Sequence, residues 1–180
     1  MRENIARIVD LTERIGSITA ELRNFARRKM PETGAVALRS VIDGSMMIVG
    51  ERAREITVVT LSPALASVYV VGDRVRLEQI LVNLLQNALE ALSGRPGPAI
   101  RLTVATDAGP MIVLTSADNG PGVDPALTDA QFTPFVSGKL TGIGLGLAIA
   151  RDIAREFGGE LALARTGGAG AAFTLTLKRA

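Results

Sequence analysis

The chain of 180 residues contains no cysteine and no histidine. Lack of cysteine excludes a disulfide framework, a thiolate metal site and a thiol nucleophile. Lack of histidine excludes zinc sites built on imidazole, Ser-His-Asp triads and imidazole general bases. No uninterrupted apolar stretch approaches the roughly 20 residues needed to span a bilayer, and the N-terminal residues are charged where a secretory leader would be apolar. The piece is therefore expected in the cytoplasm. A charge excess is missing as well: twenty basic residues face eighteen acidic ones, for a formal net charge of +2, and their dispersal argues against a nucleic-acid partner. The densest basic run, Arg27, Arg28 and Lys29, falls where a helix is expected to end, and attraction to the helix dipole accounts for it. What the chain does have is a hydrophobic content of 47%, enough for one core and one appended element.

That appended element is N-terminal. Ile8, Leu11, Ile15, Ile18, Leu22 and Phe25 alternate spacings of three and four, which is a heptad seam on a helix over about 4–29. Such a seam has to pack on another helix, in this molecule or in a partner. Met30 to Gly34 breaks the pattern and reads as a linker, so residues 1–33 are expected to form a bundle helix with its linker and residues 34–180 a separate domain. Within that domain the patterns predict a helix over 38–54 and strands near 56–61 and 68–71. A helix over 73–92 follows, N-capped by Asp73. Strands near 100–105 and 111–116, a helix over 144–157 and strands near 160–164 and 172–177 complete it. The expected class is α/β (α+β): a two-layer sandwich, with a mixed sheet covered by helices on one face and adjacent strands paired as hairpins.

Three stretches carry chemistry. On the helix over 73–92, Leu77, Ile80, Leu81, Leu84, Ala88 and Ala91 share one face, while Gln79, Asn83, Gln86, Asn87 and Glu90 share the other. Asparagine is a poor helix former, so two of them one turn apart suggest a task beyond solvation. Their amide oxygens suit a hard cation such as magnesium, although a merely polar face is the competing explanation. Next, Asp118-Asn119-Gly120-Pro121-Gly122 follows an apolar strand; a carboxylate there can accept a hydrogen bond from an exocyclic amine, with glycines letting a planar base approach the backbone. Last, Gly142, Gly144, Leu145 and Gly146 lead directly into an amphipathic helix, an arrangement that offers backbone N–H groups to phosphate. Between the second and third stretches, Phe132, Phe135 and Lys139 lie in a Gly- and Pro-flanked loop suited to close over a ligand.

Taken in order, these stretches resemble the boxes of the sensor histidine kinase catalytic domain, within the family that includes gyrase B, the heat-shock chaperone ATPases and MutL. Gln79 to Ala88 resembles the N box, Asp118 to Gly122 the first glycine box, Phe132 to Phe135 the F box and Gly142 to Leu147 the second glycine box. Gly167, Gly168, Gly170, Phe173 and Thr174 resemble the last box. The resemblance implies the Bergerat-type ATP-binding fold, with ATP and Mg2+ as cofactors. It assigns magnesium to Asn87 with Asn83 nearby, the adenine amine to Asp118, and the walls of the base pocket to Gly120 and Gly122. Phosphate contacts fall to Lys139 and the backbone over Gly142, Gly144, Leu145 and Gly146, with Phe135 in the lid and Thr174 beside the adenine. Asn83, Asn87 and Lys139 are the candidate catalytic residues.

The heptad helix resembles the second helix of the family's dimerising hairpin, whose first helix carries the phosphoacceptor histidine. That histidine is absent, so this piece is expected not to phosphorylate itself and to belong to a longer, homodimeric protein anchored in the inner membrane. The implied partners are the phosphoacceptor helix and a response regulator receiver domain. Around Phe135 and Lys139, and at Phe25-Ala26-Arg27, the sequence is similar to four-carbon-dicarboxylate sensor kinases. Hydrolytic relatives carry a glutamate at the position of Asn83; a neutral carboxamide cannot serve as a general base, so ATP hydrolysis should be slow. Two other readings stand beside the kinase: a regulator of the same fold that phosphorylates serine, similar to anti-sigma factors, and a catalytically silent interaction module.

Overall fold

In the computed structural model the chain divides into residues 1–30 and 31–180. The structure describes residues 33–60, 67–105, 109–128, 130–136, 144–165 and 170–180. The expected heptad helix lies outside the described residues.

Four α-helices and seven strands are found among the described residues: β1 (Gly34–Ala37), α1 (Leu38–Val49), α2 (Glu51–Ile56), β2 (Thr57–Thr60), β3 (Tyr69–Gly72), α3 (Arg74–Ala91), β4 (Ile100–Ala105), β5 (Met111–Asp118), α4 (Gly146–Glu156), β6 (Glu160–Arg165) and β7 (Ala172–Lys178). A short 3-10 turn, Pro125–Leu127, follows β5. The principal sheet has the order β2-β4-β5-β7-β6. Its β2–β4 pair is parallel and the remaining pairs are antiparallel, so the sheet is mixed.

Period-two alternation along β5 buries Ile112, Leu114, Ser116 and Asp118 on one face, and the register places Phe173, Leu175 and Leu177 of β7 beside them. Leu77, Ile80, Leu81, Leu84, Leu85 and Ala88 of α3, with Ile149, Ala150, Ile153 and Ala154 of α4, join these strand residues in one buried cluster. Apolar strand and helix faces each remove their surface from water by covering the other, which produces the two-layer sandwich.

Three local expectations change. Residues 34–37 form a strand, antiparallel to β3 with Gly34 opposite Gly72, where the sequence reading placed no element between a linker ending at Gly34 and the helix from 38; a four-residue edge strand carries too little alternation to stand out. The helix expected over 38–54 is divided at Gly50, whose φ of 86° belongs to the left-handed region that ends helices. Finally, the hairpin pattern holds for β4 with β5 and for β6 with β7, but β3 pairs with β1 in a separate two-stranded sheet.

Candidate functional site

Helix α3 is the spine of the site. Asp73 caps its start, its Oδ1 accepting from the Arg76 N–H at 3.0 Å, which satisfies one of the orphan amides of the first turn. Burial of the leucine face turns the asparagines towards the helix edge. There Asn83 Nδ2 donates to the Gly146 carbonyl at 2.9 Å, joining the middle of α3 to the first residue of α4. Eight residues further along, a Cβ on Gly120 would stand 3.5 Å from Ala91 Cβ, so the turn after β5 rests on the last residue of α3. Asn87 is half-buried between these two points. Over about 12 Å of axis the helix therefore carries, in order, the N-terminus of α4, the Asn87 carboxamide and the Asp118 turn.

At the Gly146 end of this line the N-cap residue of α4 is Leu145, which makes no side-chain cap hydrogen bond. Gly144 enters the helix at φ 73°, and a Cβ there would collide with the Val136 backbone. The Phe135 N–H donates to Gly144 O at 3.2 Å. The F-box segment and the second glycine box are thus packed backbone to backbone, a close approach only glycine permits. Leu145 itself is buried in the core, so it can meet a ligand only through its backbone. Phe135 is 69% exposed and holds φ 66°, an unusual conformation for an aromatic residue. Lys139 and Gly142 lie outside the described residues.

At the base end, Asp118 is buried. Its Oδ1 accepts from the Gly120 N–H at 2.8 Å and the Ala171 N–H at 3.3 Å. Gly122 has φ 84° and Gly170 φ 99°, and a Cβ on Gly170 would collide with the Asp118 carbonyl. Thr174 is placed differently from the sequence expectation. Its partner across the ladder is Thr115, on the face opposite Asp118, so the sheet itself stands between Thr174 and the base end. Ala171 and Gly170, two strands away from Asp118 in sequence but beside it in space, take that place.

Behind the F box lies an ionic cluster that sequence reading missed. Phe132 meets Phe173 edge-on with centroids 6.4 Å apart, and the Arg151 guanidinium lies 4.6 Å from the Phe132 centroid. Glu160 accepts from Arg151 at 2.7 Å and from Arg155 at 3.0 Å. Burial pushes the Glu160 carboxyl up, but the hydrogen bonds from Arg151, Arg155 and the Leu161 N–H outweigh it and hold the group below the ordinary carboxylate value. The i, i+4 spacing of Arg151 and Arg155 on α4 was a visible signal; the arrival of Glu160 and Phe132 beside them was not.

The donor set fits a magnesium nucleotide better than a free cation. Among the described residues no group of three or more acidic, Cys or His side chains could hold a metal. A cation would therefore take its oxygens from Asn87, from Asn83 Oδ1 and chiefly from phosphate and water.

The chain belongs to the histidine kinase-, DNA gyrase B- and HSP90-like ATPase family, whose model matches residues 72–180. Within that family it is an ATP-binding catalytic domain of the two-component sensor histidine kinase type. It is 41% identical, over 99% of its length, to the C4-dicarboxylate transport sensor protein DctB of Rhizobium meliloti. Over 98% of its length it is 32% identical to the sensor protein DctS of Rhodobacter capsulatus. The chain spans only 28% and 27% of those two relatives. Among solved structures, the catalytic domain of the histidine kinase ThkA superposes with a TM-score of 0.71 at 26% identity, covering 82% of this chain and 96% of that one. The mycobacterial sensor histidine kinase MprB gives 0.69 at 27%, covering 83% and 98%. No helix among the described residues is long and apolar enough to cross a membrane.

Proposed function

We propose that this chain binds ATP with Mg2+ along α3 and presents the γ-phosphoryl group to a histidine that it does not itself contain. The observation that carries the reading is the Asn83–Gly146 hydrogen bond, which holds the open N-terminus of α4 over the asparagine edge of α3 while Asp118 lies at the far end of the same helix. In this reading Asp118 accepts from the adenine amine, with Gly120 and Gly122 beside the base. Asn87, with Asn83, would hold the magnesium, which would supply neutralisation of the phosphate charge. The backbone over Gly144, Leu145 and Gly146 receives the phosphates, with Gly142 and Lys139 assigned to the same task by their place in the motif.

Transfer breaks the bond from the γ-phosphorus to ADP and forms one to an imidazole nitrogen. It needs positioning and charge neutralisation more than covalent chemistry from the protein. Asn83 cannot take a proton from water, so hydrolysis should be slow beside transfer.

The proposed partners are a phosphoacceptor helix and a receiver domain. A histidine kinase of similar fold has been solved in complex with its response regulator, and the relatives are sensor proteins of dicarboxylate transport. We extend the proposal to residues 1–33 as a bundle helix with its linker, through which the longer protein dimerises, and to a membrane anchor outside this piece. Calorimetric titration with Mg-ADP and a non-hydrolysable ATP analogue tests the core of the reading. Wild type should bind both, and Asn87→Ala should lose the magnesium-dependent part of the affinity. A folded wild type that binds neither would remove the proposal, and rapid steady-state hydrolysis of ATP would count against a kinase.

A further inference from the structure

Helix α4 holds the turn that lies against its own beginning. The Phe132–Val136 turn meets this helix and its entry in two places. In one, the Phe135 N–H donates to Gly144 O at 3.2 Å, and Gly144 lies so close to the Val136 backbone that a Cβ would collide with it. In the other, further along α4, the Arg151 guanidinium lies over the Phe132 ring, 4.6 Å from its centroid, and Phe173 of β7 meets the same ring edge-on. Between these two anchors Thr133, Pro134 and Phe135 are exposed, so burial does little to hold them and the anchors do more. Arg151 is itself pinned. Its Nε donates to Glu160 Oε1 at 2.7 Å, the Leu161 N–H donates to the same oxygen at 3.1 Å, and Glu160 Oε2 accepts from Arg155 at 3.0 Å. The Glu160 N–H donates to Thr176 Oγ1 at 2.9 Å, which fixes the carboxylate's own residue to β7. A guanidinium can donate through Nε and still lay its plane over a ring, whereas a lysine ammonium is a point charge without a plane.

We propose that Arg151 is a positioning residue for nucleotide binding: pinned by Glu160, its guanidinium covers Phe132 and keeps the Phe132–Val136 turn seated against Gly144, the residue through which the chain enters α4. The inference rests on the reading that the start of α4 receives the phosphates. A turn seated before the ligand arrives does not have to be ordered on binding, and that cost is removed from the affinity. Loss of the guanidinium releases Phe132, and the turn then leaves Gly144 without its packing partner for part of the time.

The test uses the whole 180-residue chain and two readouts. Chymotrypsin cleavage after Phe135, in the exposed part of the turn, reports how often the turn leaves its seat without ligand, and calorimetric titration with Mg-ADP reports the consequence for binding. Arg151→Met keeps an unbranched stem; it should be cut after Phe135 about fivefold faster than wild type and should bind Mg-ADP about fivefold more weakly. Cleavage after the buried Phe157 and Phe173, which reports global opening, should change less. Phe132→Leu should behave in the same way, and the double variant should add little to either single change. Arg151→Lys, which retains the charge, should still be cut faster and bind more weakly than wild type. Wild-type cutting after Phe135 in Arg151→Met overturns the proposal, and the same result in Arg151→Lys does so even if the methionine variant does not fold. Faster cutting with unchanged Mg-ADP affinity overturns it as well, as do single effects that multiply in full in the double variant, since Arg151 would then act independently of Phe132. Failure of folded wild type to bind Mg-ADP would remove the nucleotide reading and this proposal with it, a failure seen before any variant is made.

Discussion

Helices α3 and α4 begin in opposite ways. Helix α3 starts with its first turn secured: Asp73 caps it, Arg74 pairs with Glu78 at 2.7 Å, and Arg76 reaches Glu156 at 2.6 Å. Helix α4 starts with a left-handed glycine and a buried leucine as N-cap, which makes no side-chain cap hydrogen bond. Leu145 is committed to the core, so the cap position offers the first turn no polar side chain of the kind that stabilises a helix start by about 1 kcal/mol. A helix start without a side-chain cap is the kind of end that can receive anionic oxygens. If the α4 end receives a ligand as proposed, the two ends serve different tasks, and substitutions at them should separate in the same way.

Leu84→Ala should have the largest effect on folding. Leu84 is buried on α3, and its truncation should cost about 3 kcal/mol in urea denaturation, with nucleotide affinity of the folded fraction little changed. Gly144→Ala should follow, since it combines a positive φ with a collision at Val136. We expect a loss of roughly 2 kcal/mol together with a drop in ATP-analogue affinity of about tenfold or more, read by calorimetry; full affinity would break the comparison.

Asp73→Ala should cost about 1 kcal/mol and leave affinity unchanged. A selective loss of binding would show that the capped end also serves the ligand. Glu160→Gln should have the smallest effect, lowering the melting temperature by roughly 2 °C at neutral pH. Because the Glu160 carboxyl is held below its ordinary value, its contribution is present above the usual carboxylate range and is lost as the pH falls through the lowered value. Wild type and variant should therefore converge in acid, and a gap that widens there would refute the assignment.

Much of this was legible in the residues. The 3.6-residue period of the leucines over 77–84 and the position of Asp73 placed α3 to within a residue at each end, because both signals are local. The Asp118, Phe132 and Gly142 stretches were legible as motifs for the same reason. Gly170 and Ala171 beside Asp118 were not, because they meet it through the β5–β7 pairing, and nothing local distinguishes a strand that returns to its hairpin neighbour from one that crosses to another. The same gap misplaced Thr174: adjacency to a motif in sequence does not reveal which face of a strand a side chain takes until the register is known.

Sequence alone determined most of the elements, their order and the chemistry available: no thiol, no imidazole, carboxamides where a hydrolase needs an acid, and glycines where a backbone must approach closely. Those properties belong to residue types and short-range geometry, which the chain carries wherever it goes. The tertiary structure alone decided that Asn83 spends its amide on Gly146, that Arg151 covers Phe132, and that Asp118 Oδ1 is held by the Gly120 and Ala171 N–H groups. Each of these depends on bringing together segments tens of residues apart, and burial of the shared apolar face of sheet and helices supplies the free energy that does so.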